Sequence, residues 1–189
     1  MILHAASALI AEKGSAEVTL QDILDATGLG TRSFYRHFET KDDLLRVLYR
    51  TEVEALAERL EACTAAAPTP RAAVEAWLEE FVEHMYRPRT SERQALFSTG
   101  LARTGAPDEA SLEWARQRLA VPLVAALEAG RRDGSLPAAR PEQDAHAIRA
   151  VAMEVTRWRE SDARRTPRQD VSYLLTFCLP ALGGRHDDS

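Results

Sequence analysis

Polar and basic side chains crowd one short stretch near the amino terminus, and their types are those that contact nucleic acids. Within the segment TLQDILDATGLGTRSFYRHFETK, residues 19–41, the crowded positions are Thr31, Arg32, Ser33, Tyr35 and Arg36. Guanidinium and hydroxyl groups donate hydrogen bonds to phosphates and base edges, and a helix that carries them fits the major groove of DNA. The segment therefore predicts a DNA-recognition surface.

Two short helices joined at Gly28 must position this surface. Thr19 can cap the first helix, and Asp22 three residues later makes a weak form of the capping box. Gly28 falls where that helix must stop, because glycine adopts a positive φ without steric cost. The second helix is expected to open at Gly30 or Thr31.

Two phenylalanines should anchor the inner side of the second helix. Phe34 and Phe38 lie four residues apart on one helical face, and we expect this face to pack inward. The polar side chains of the helix must then face outward, with Ser33 and His37 at its flanks.

The order of these residues resembles the DNA-binding domain of TetR-type (tetracycline-repressor-like) transcriptional regulators. The resemblance spans residues 2–45 without a break, and it rests on Ile2, Leu3, Ala5, Ala6, Gly14, Thr19, Asp22, Ile23, Gly28, Leu29, Phe34, Tyr35, His37, Phe38, Lys41, Leu44 and Leu45. A lone helix-turn-helix is a weak signal, whereas this ordered set is specific.

The resemblance implies roles for individual side chains. By analogy with the family, the positions that approach base edges are Thr31, Arg32 and Ser33. The positions that touch phosphates are Thr19, Tyr35, His37 and Lys41, and Arg36 completes the exposed basic surface.

Three features depart from the family pattern. Gly30 stands where a serine cap is common, so the recognition helix should begin less firmly. Leu24 replaces a usual alanine, which should push the two helices apart or be absorbed by repacking. The sequence starts at Met1 inside the first helix, so the basic arm of many relatives is missing or the natural chain is longer.

Net charge bounds the kind of DNA binding that is expected. The chain has 24 lysine and arginine residues against 29 acidic ones, a formal net charge of −5. Residues 31–41 nevertheless contain three basic residues and one acidic residue, Glu39. Phosphate recognition depends on such local placement, so the sequence favours a specific binder over a general nucleic-acid coater.

Composition predicts an ordinary cytoplasmic globular protein. The chain is 45% hydrophobic and 28% charged, typical of globular domains. No apolar run approaches the roughly 20 residues that span a bilayer, and no signal-peptide pattern is present, so no membrane partner is expected. Cys63 and Cys178 suit a reducing compartment. Cys178 lies in an apolar run and should pack in the core, whereas Cys63 is either a packing residue or a redox sensor.

The rest of the chain is predicted to be helical, without strand alternation. Thr40 can cap a long helix from Lys41 to about residue 64, with Asp43 at its third position. Further helices are expected at residues 70–87, 91–103, 107–130 with a kink at Pro122, 141–164 and 168–182, and the segment GRRDGSLP is expected to be a loop. The fold prediction is all-α with about nine helices. A three-helix helix-turn-helix domain occupies residues 1–45, and a helical ligand-binding and dimerisation domain occupies residues 46–189.

The last two predicted helices combine small and aliphatic residues, a pattern that allows close helix packing. These residues are Ile148, Val151, Ala152, Val155, Val171, Leu174, Leu175, Cys178 and Leu179. The pattern alone favours an intramolecular core. The resemblance implies instead that both helices pair with those of a second copy. Such a homodimer would place two recognition helices about 34–36 Å apart or somewhat more, on a palindromic operator.

The middle helices should enclose a small-molecule effector pocket, as the resemblance implies. Candidate lining residues are Trp77, Phe81, Met85, Phe97, Leu101, Trp114 and Leu123, and core packing is the alternative for each. Arg93, Arg103 and Arg149 are candidates to hold an acidic head group, or else are solvated. The resulting hypothesis is an extended apolar effector, such as an acyl chain or an aromatic compound.

Catalytic, metal and cofactor constellations are not evident. Glu80 and His84 lie one helical turn apart without a third ligand at a useful spacing. Gly28 and Gly30 lack the third glycine and the preceding strand of a phosphate loop. We therefore expect no enzyme, cofactor or metal. The leading hypothesis is a ligand-responsive homodimeric repressor; the alternatives are a helical ligand-binding or adaptor protein that has lost DNA binding, and a small helical enzyme.

Overall fold

The computed structural model describes residues 9, 18–28, 30–87 and 108–183, and these residues are helical without any strand. They form α1 (Leu20–Thr27), α2 (Thr31–Tyr35), α3 (Lys41–Ala66), α4 (Pro70–Tyr86), α5 (Glu109–Asp133), α6 (Pro141–Arg157) and α7 (Pro167–Cys178), with short 3-10 helices at Trp158–Glu160 and Pro180–Leu182. The all-α prediction is confirmed. Apart from Leu9, the predicted helix before Gly14 lies outside the described residues, as does the predicted helix at residues 91–103.

Two compact units divide the chain. The first contains Met1–Glu54 and Arg87–Ala115, and the second contains Ala55–Tyr86 and Arg116–Ser189. Helices α3 and α5 each begin in the first unit and end in the second. The domain boundary at residue 45 stays a prediction, because the units are defined by compactness and not by function.

Side-chain caps determine where α1 and α3 begin. The Thr19 hydroxyl accepts the Asp22 N–H at 3.1 Å, and the Asp22 carboxylate accepts the Thr19 N–H at 2.8 Å. Thr40 and Asp43 repeat this reciprocal pair at the start of α3, at 3.1 and 3.0 Å. The box at Thr19 is thus complete rather than weak. Gly28 ends α1 with φ of 65°, as predicted.

One hydrophobic cluster holds the helix-turn-helix together. Its buried members are Val18, Ile23, Leu24, Phe34, Leu44, Leu45 and Leu48, and Leu9, Leu20 and Phe38 pack against it. The predicted inward face of α2 is therefore confirmed, with Phe34 fully buried and Phe38 partly buried. Leu24 is accommodated inside this core.

The second unit is built on α4, α6 and α7, which pack against one another. At its centre the rings of Trp77 and Phe81 stack with centroids 4.8 Å apart. The indole of Trp77 donates to the Leu119 carbonyl of α5 at 3.1 Å. Three residues later Pro122 lies inside α5, where proline lacks the N–H that would bond to the Arg118 carbonyl. Helix α5 nevertheless continues to Asp133.

Two predicted element boundaries were wrong. The loop predicted from Gly130 is helical until Asp133. Glycine is required at position 130, because a Cβ there would lie 2.7 Å from the Leu136 side chain that folds back onto α5. Gly134, with φ of 82°, then follows the end of the helix.

The second wrong boundary is the end of α6, which was placed at residue 164 and lies at Arg157. Beyond it the Ser161 hydroxyl donates to the Trp158 carbonyl at 2.9 Å, and the Asp162 carboxylate accepts the Arg164 N–H at 3.1 Å. Such local side-chain bonds compete with the helical ladder. Helix α7 starts at Pro167 behind a Thr166 capping box and ends at Cys178, two residues before Pro180.

Candidate nucleic-acid interface

Helix α2 presents the side chains expected to meet DNA. Thr31, Arg32, Tyr35 and Arg36 are exposed, as is His37 beyond the helix, and Ser33 is partly buried. The ring of buried Phe34 lies edge-on to Tyr35, with centroids 5.6 Å apart, so one core residue orients its exposed neighbour. The geometry matches the predicted outward face; the individual DNA contacts stay predictions.

The start of α2 is weakly fixed. Gly30 occupies the N-cap position with φ of −72° and ψ of 150°, and it supplies no side-chain cap. Its carbonyl accepts the N–H groups of Ser33 and Phe34 at 2.9 and 3.2 Å, so Gly30 contributes backbone hydrogen bonds to the first turn of α2. The predicted loss of a cap at this position is therefore confirmed.

Lys41 has a structural bond that sequence reasoning missed. Its ammonium group donates to the Val18 carbonyl at 2.9 Å, next to the Thr19 cap of α1. The first residue of α3 is thereby tied to the start of α1 across the helix-turn-helix. No sequence motif signals such a contact between residues 23 positions apart. A phosphate contact by the same ammonium group stays a prediction.

Exposed acidic side chains accompany the basic ones in this region. Asp25, Glu39 and Asp42 are exposed within the same stretch of sequence. Arg32 and Arg36 are the exposed basic residues on and directly after α2, and the acidic neighbours limit the extent of their positive field.

Most of the side chains predicted for the dimer interface are buried within their own chain. These are Ile148, Ala152, Val155, Val171, Leu174, Cys178 and Leu179, whereas Val151 and Leu175 are half-buried. The assignment of these nine residues to a contact with a second copy stays a prediction. Apolar periodicity identified the inner face of α6 and α7. It cannot by itself distinguish a core from an interface, because both bury the same residue types. Dimerisation itself stays a prediction.

The opposite face of α6 and α7 carries exposed aromatic and small residues instead. Tyr173 and Phe177 are 44% and 57% exposed, which is unusual for large apolar side chains. Their rings stack with centroids 6.2 Å apart, and Tyr173 also contacts Trp158 at 5.4 Å. Ala147 and Ala150 are exposed on α6. The spacing of Tyr173 and Phe177 by four residues was a signal in the sequence that the apolar count overlooked.

A buried carboxylate fixes the first turn of α7. Asp170 is fully buried and accepts hydrogen bonds from Arg165 and from the Tyr86 hydroxyl, the latter at 2.7 Å. Burial, together with the bond to Asp170, raises the pKa of Tyr86 to about 12. The guanidinium of Arg165 also lies 5.0 Å from the centre of the Trp158 ring. The helix that displays Tyr173 is thus anchored to the end of α4.

The predicted effector-pocket residues divide between core and surface. Trp77, Phe81 and Leu123 are fully buried, whereas Met85 and Trp114 are half-buried. Phe97 and Leu101 lie outside the described residues, as do Arg93 and Arg103, and Arg149 is half-buried. A different apolar groove, of about 510 Å³, runs beside Thr64, Pro68, Pro70, Val121 and Ala125. The effector role of the seven predicted residues stays a prediction.

The remaining candidate sites are occupied by ordinary contacts. Glu80 accepts from Arg59 at 2.7 Å, and the same guanidinium lies 2.8 Å from Nδ1 of His84. Among the described residues, no group of three or more potential metal ligands occurs.

Burial raises the pKa of Cys63, with Glu80 adding to the effect, and burial raises the pKa of Cys178 to about 11. Both thiols are therefore poor nucleophiles near neutral pH, which disfavours a redox sensor at Cys63.

In the described part of the chain, no helix is both long and apolar enough to cross a membrane. The described residues thus form an all-α fold in which α1 and α2 make a helix-turn-helix with an exposed polar and basic surface. Residues 2–48 match the model of the family described as bacterial regulatory proteins, tetR family. This match falls on the segment in which the sequence motifs predicted a helix-turn-helix of that family.

Known proteins are similar to this chain along nearly its whole length. The HTH-type transcriptional repressor KstR2 of Rhodococcus jostii (strain RHA1) is 24% identical over 200 residues, which cover 98% of this chain and 91% of KstR2. The fatty acid degradation regulator FadR of Bacillus halodurans has a TM-score of 0.74 at 18% identity, covering 98% of each chain. AibR, solved with isovaleryl coenzyme A and operator DNA, has a TM-score of 0.68 at 18% identity, covering 95% of this chain and 96% of AibR. At such identities the structural likeness establishes the fold.

Proposed function

We propose that this chain is a repressor that binds a palindromic operator as a homodimer and is released by a small, largely apolar effector. The observation that carries the proposal is the two-sided character of α2. Arg32, Tyr35 and Arg36 are exposed, while Phe34 between them is fully buried in the core. A helix fixed from behind by an aromatic ring can hold its exposed donors in register with base edges and phosphates.

Contacts with the operator divide into two groups under this proposal. Thr31, Arg32 and Ser33 read base edges from the first turn of α2. Phosphates are held by Thr19, Tyr35, His37 and Lys41, with Arg36 adding positive charge. Because the chain carries a net charge of −5, affinity rests on these few contacts, and its salt dependence is set by the small number of phosphates that they neutralise. The proposed DNA-binding domain is residues 1–45.

The homodimer in this proposal uses the exposed face of α6 and α7. Tyr173 and Phe177 are large aromatic side chains left open to solvent, and aromatic residues are enriched at protein interfaces. Exposed Ala147 and Ala150 allow a second copy to approach closely. A two-fold axis through this face would make the contact self-complementary and would present two copies of α2 to one operator.

An acyl-coenzyme A thioester is the effector class that we propose. AibR is known in complex with isovaleryl coenzyme A, and FadR is a regulator of fatty acid degradation. Such a molecule combines an apolar chain with anionic phosphates, which matches the apolar and arginine residues predicted for residues 46–189. It would act only through different affinities for the DNA-bound and released conformations. Because α3 begins at Lys41 and ends in the second unit, it offers a continuous route between effector and operator.

Selection of duplexes from a random pool tests the proposal directly. We expect the unaltered protein to enrich a palindrome, and Arg32→Ala to relax one position of each half-site by about 1–3 kcal/mol. Arg168→Ala is the matched control, because Arg168 is an exposed arginine on α7, away from α2 in the sequence. If Arg32→Ala keeps the original sequence preference, the assignment of base contact to Arg32 is wrong.

The second candidate, a ligand-binding or adaptor protein of the same fold, is favoured by the uncapped Gly30 and the acidic net charge. It predicts that no duplex is enriched, although acyl-coenzyme A thioesters raise the melting temperature. The repressor predicts enrichment, followed by loss of the complex when the thioester is added.

A further inference from the structure

Arg46 joins two helix-capping carboxylates within the first unit. Its Nη1 donates to Asp43 at 2.7 Å, and its Nε donates to Asp108 at 2.8 Å. Asp43 lies three residues before Arg46 on α3, whereas Asp108 is 62 positions away and directly precedes α5. One guanidinium therefore links the start of α3 to the start of α5.

Each aspartate divides its two oxygens between a helix cap and Arg46. In Asp43, Oδ2 accepts the Thr40 N–H at 3.0 Å, and Oδ1 accepts from Arg46. In Asp108, Oδ1 accepts the Ser111 N–H at 2.7 Å, and Oδ2 accepts from Arg46. These bonds hold the pKa of both carboxyls below its ordinary value. The bridge is therefore fully charged at neutral pH.

A second contact joins the same two helices one turn further along. The guanidinium of Arg50 lies 5.3 Å from the centre of the Trp114 ring. Arg46 and Arg50 are four residues apart on α3, whereas Asp108 directly precedes α5 and Trp114 lies in its second turn. Two contact points fix the rotation of one helix against the other, where a single point would allow it to turn.

We propose that Arg46, through Asp43 and Asp108, is a positioning residue for DNA binding and makes operator affinity depend on the placement of α5. This inference rests on the proposed repressor function. Asp43 completes the capping box of Thr40, and Thr40 lies two residues after Phe38 of the helix-turn-helix core. A displacement of Arg46 therefore shifts Asp43 and the segment that follows α2. Because α5 continues into the second unit, events there reach the same bridge through its first turn.

The ion pair between Arg46 and Asp108 is exposed enough to break and re-form in solution. The Arg46 and Asp108 side chains are 40% and 46% exposed, so water and salt weaken their attraction. A pair of this kind biases an equilibrium by about two- to fivefold per protomer. Such a bias is small against a folded core but sufficient to change the occupancy of an operator.

A double-mutant cycle on operator affinity tests the proposal, using the duplex that the unaltered protein selects from a random pool. Asp108→Asn keeps an acceptor for the Ser111 N–H and removes the charge that Arg46 contacts. Arg46→Met keeps the aliphatic stem, and the double variant closes the cycle. Asp42→Asn is the matched control, because Asp42 is an exposed aspartate in the first turn of α3 and its change removes the same charge.

We expect Asp108→Asn to weaken operator binding about two- to fivefold per protomer relative to Asp42→Asn, with an unchanged salt slope. Arg46→Met should cost less in the Asp108→Asn background than in the unaltered protein. Without DNA, amide exchange at Phe34 and Phe38 should be faster in Asp108→Asn than in Asp42→Asn, which tests the link independently of affinity.

Additive effects of Arg46→Met and Asp108→Asn, with a salt slope lowered by Arg46→Met, would overturn the proposal and make Arg46 a plain phosphate contact. Equal affinity and equal amide exchange in Asp108→Asn and Asp42→Asn would overturn it as well. If the unaltered protein selects no duplex, the repressor function fails first and the inference fails with it. That outcome is seen before any variant is made.

Discussion

The helix-turn-helix and the α6–α7 pair differ in how well their outward faces follow from residue types. In the first, the residues predicted to face outward are exposed, including Arg32 and Tyr35. In the second, seven of the nine residues predicted to face a second copy lie in the core of their own chain. Charged groups stay in water unless a partner such as the one that Asp170 has is built around them, whereas an aliphatic side chain is equally well buried in a core or an interface.

The contrast is sharpest between neighbours that carry similar rings. Phe34 is fully buried and Tyr35 is 54% exposed, although they are adjacent on α2. On α7, by comparison, Tyr173 and Phe177 are both exposed and both lie on the same face. Under the proposal made above, the exposed aromatic pair on α7 contacts a second copy, and Tyr35 beside the arginines of α2 contacts DNA.

The largest expected effect comes from removing, one at a time, the buried and the exposed aromatic ring of α2. Phe34→Ala should lower the free energy of unfolding by about 3–5 kcal/mol, because it empties the centre of a packed cluster. Tyr35→Ala should leave thermal stability nearly unchanged and still weaken operator binding. Thermal unfolding and DNA titration of both variants measure the difference. Equal losses of stability would contradict the two-sided description of α2.

The next effect concerns the α6–α7 pair. Introducing charge with Tyr173→Asp and Phe177→Asp together should weaken self-association by about 2 kcal/mol or more, because exposed aromatic anchors carry much of the binding energy at interfaces. Sedimentation velocity at several concentrations measures the monomer fraction. Val121→Asp is the control, since Val121 is 53% exposed on α5. A doubly substituted protein that stays as dimeric as this control would exclude this face as the interface.

A smaller effect separates structural from phosphate contacts within the basic surface. Lys41→Gln should reduce both stability, by about 1 kcal/mol through loss of the bond to the Val18 carbonyl, and the salt slope of DNA affinity. Arg36→Gln should reduce the salt slope by about 1 without loss of stability. Chemical denaturation and titrations at several salt concentrations give the two quantities. An unchanged slope in Lys41→Gln would assign Lys41 to structure alone.

The smallest effect concerns the start of α2. Gly30 has a φ of −72°, and nothing lies within 4 Å of a Cβ added there, so serine fits without strain. Gly30→Ser should stabilise the protein by a few tenths of a kcal/mol by capping α2. Gly28→Ser is the control and should destabilise, because Gly28 has φ of 65°. Thermal unfolding of both variants shows whether each substitution raises or lowers the melting temperature. Equal changes in melting temperature would contradict the capping argument.

Local rules predicted the elements of the fold where local bonds decide them. The caps at Thr19 and Thr40, the stop at Gly28 and the inward Phe34 all follow from chain-neighbour chemistry, and the structure agrees. The same rules failed at residues 130–133, where the helix continues and the side chain of Leu136, six residues after Gly130, packs into the space that Gly130 leaves. They also failed at the end of α6, where the turn bonds of Ser161 and Asp162 prevail over the helical ladder.

The all-α class, the resemblance of the first helices to the tetR family and the polar face of α2 all followed from the sequence, because caps, helical periodicity and charge act over a few residues. Only the tertiary structure decided which side of α6 and α7 is core, because both candidate faces carry apolar groups and three-dimensional packing selects between them. It also revealed the bond from Lys41 to Val18 and the bridge from Arg46 to Asp108, which join residues 23 and 62 positions apart. Contacts at that separation have no period or motif, since folding alone brings such residues together.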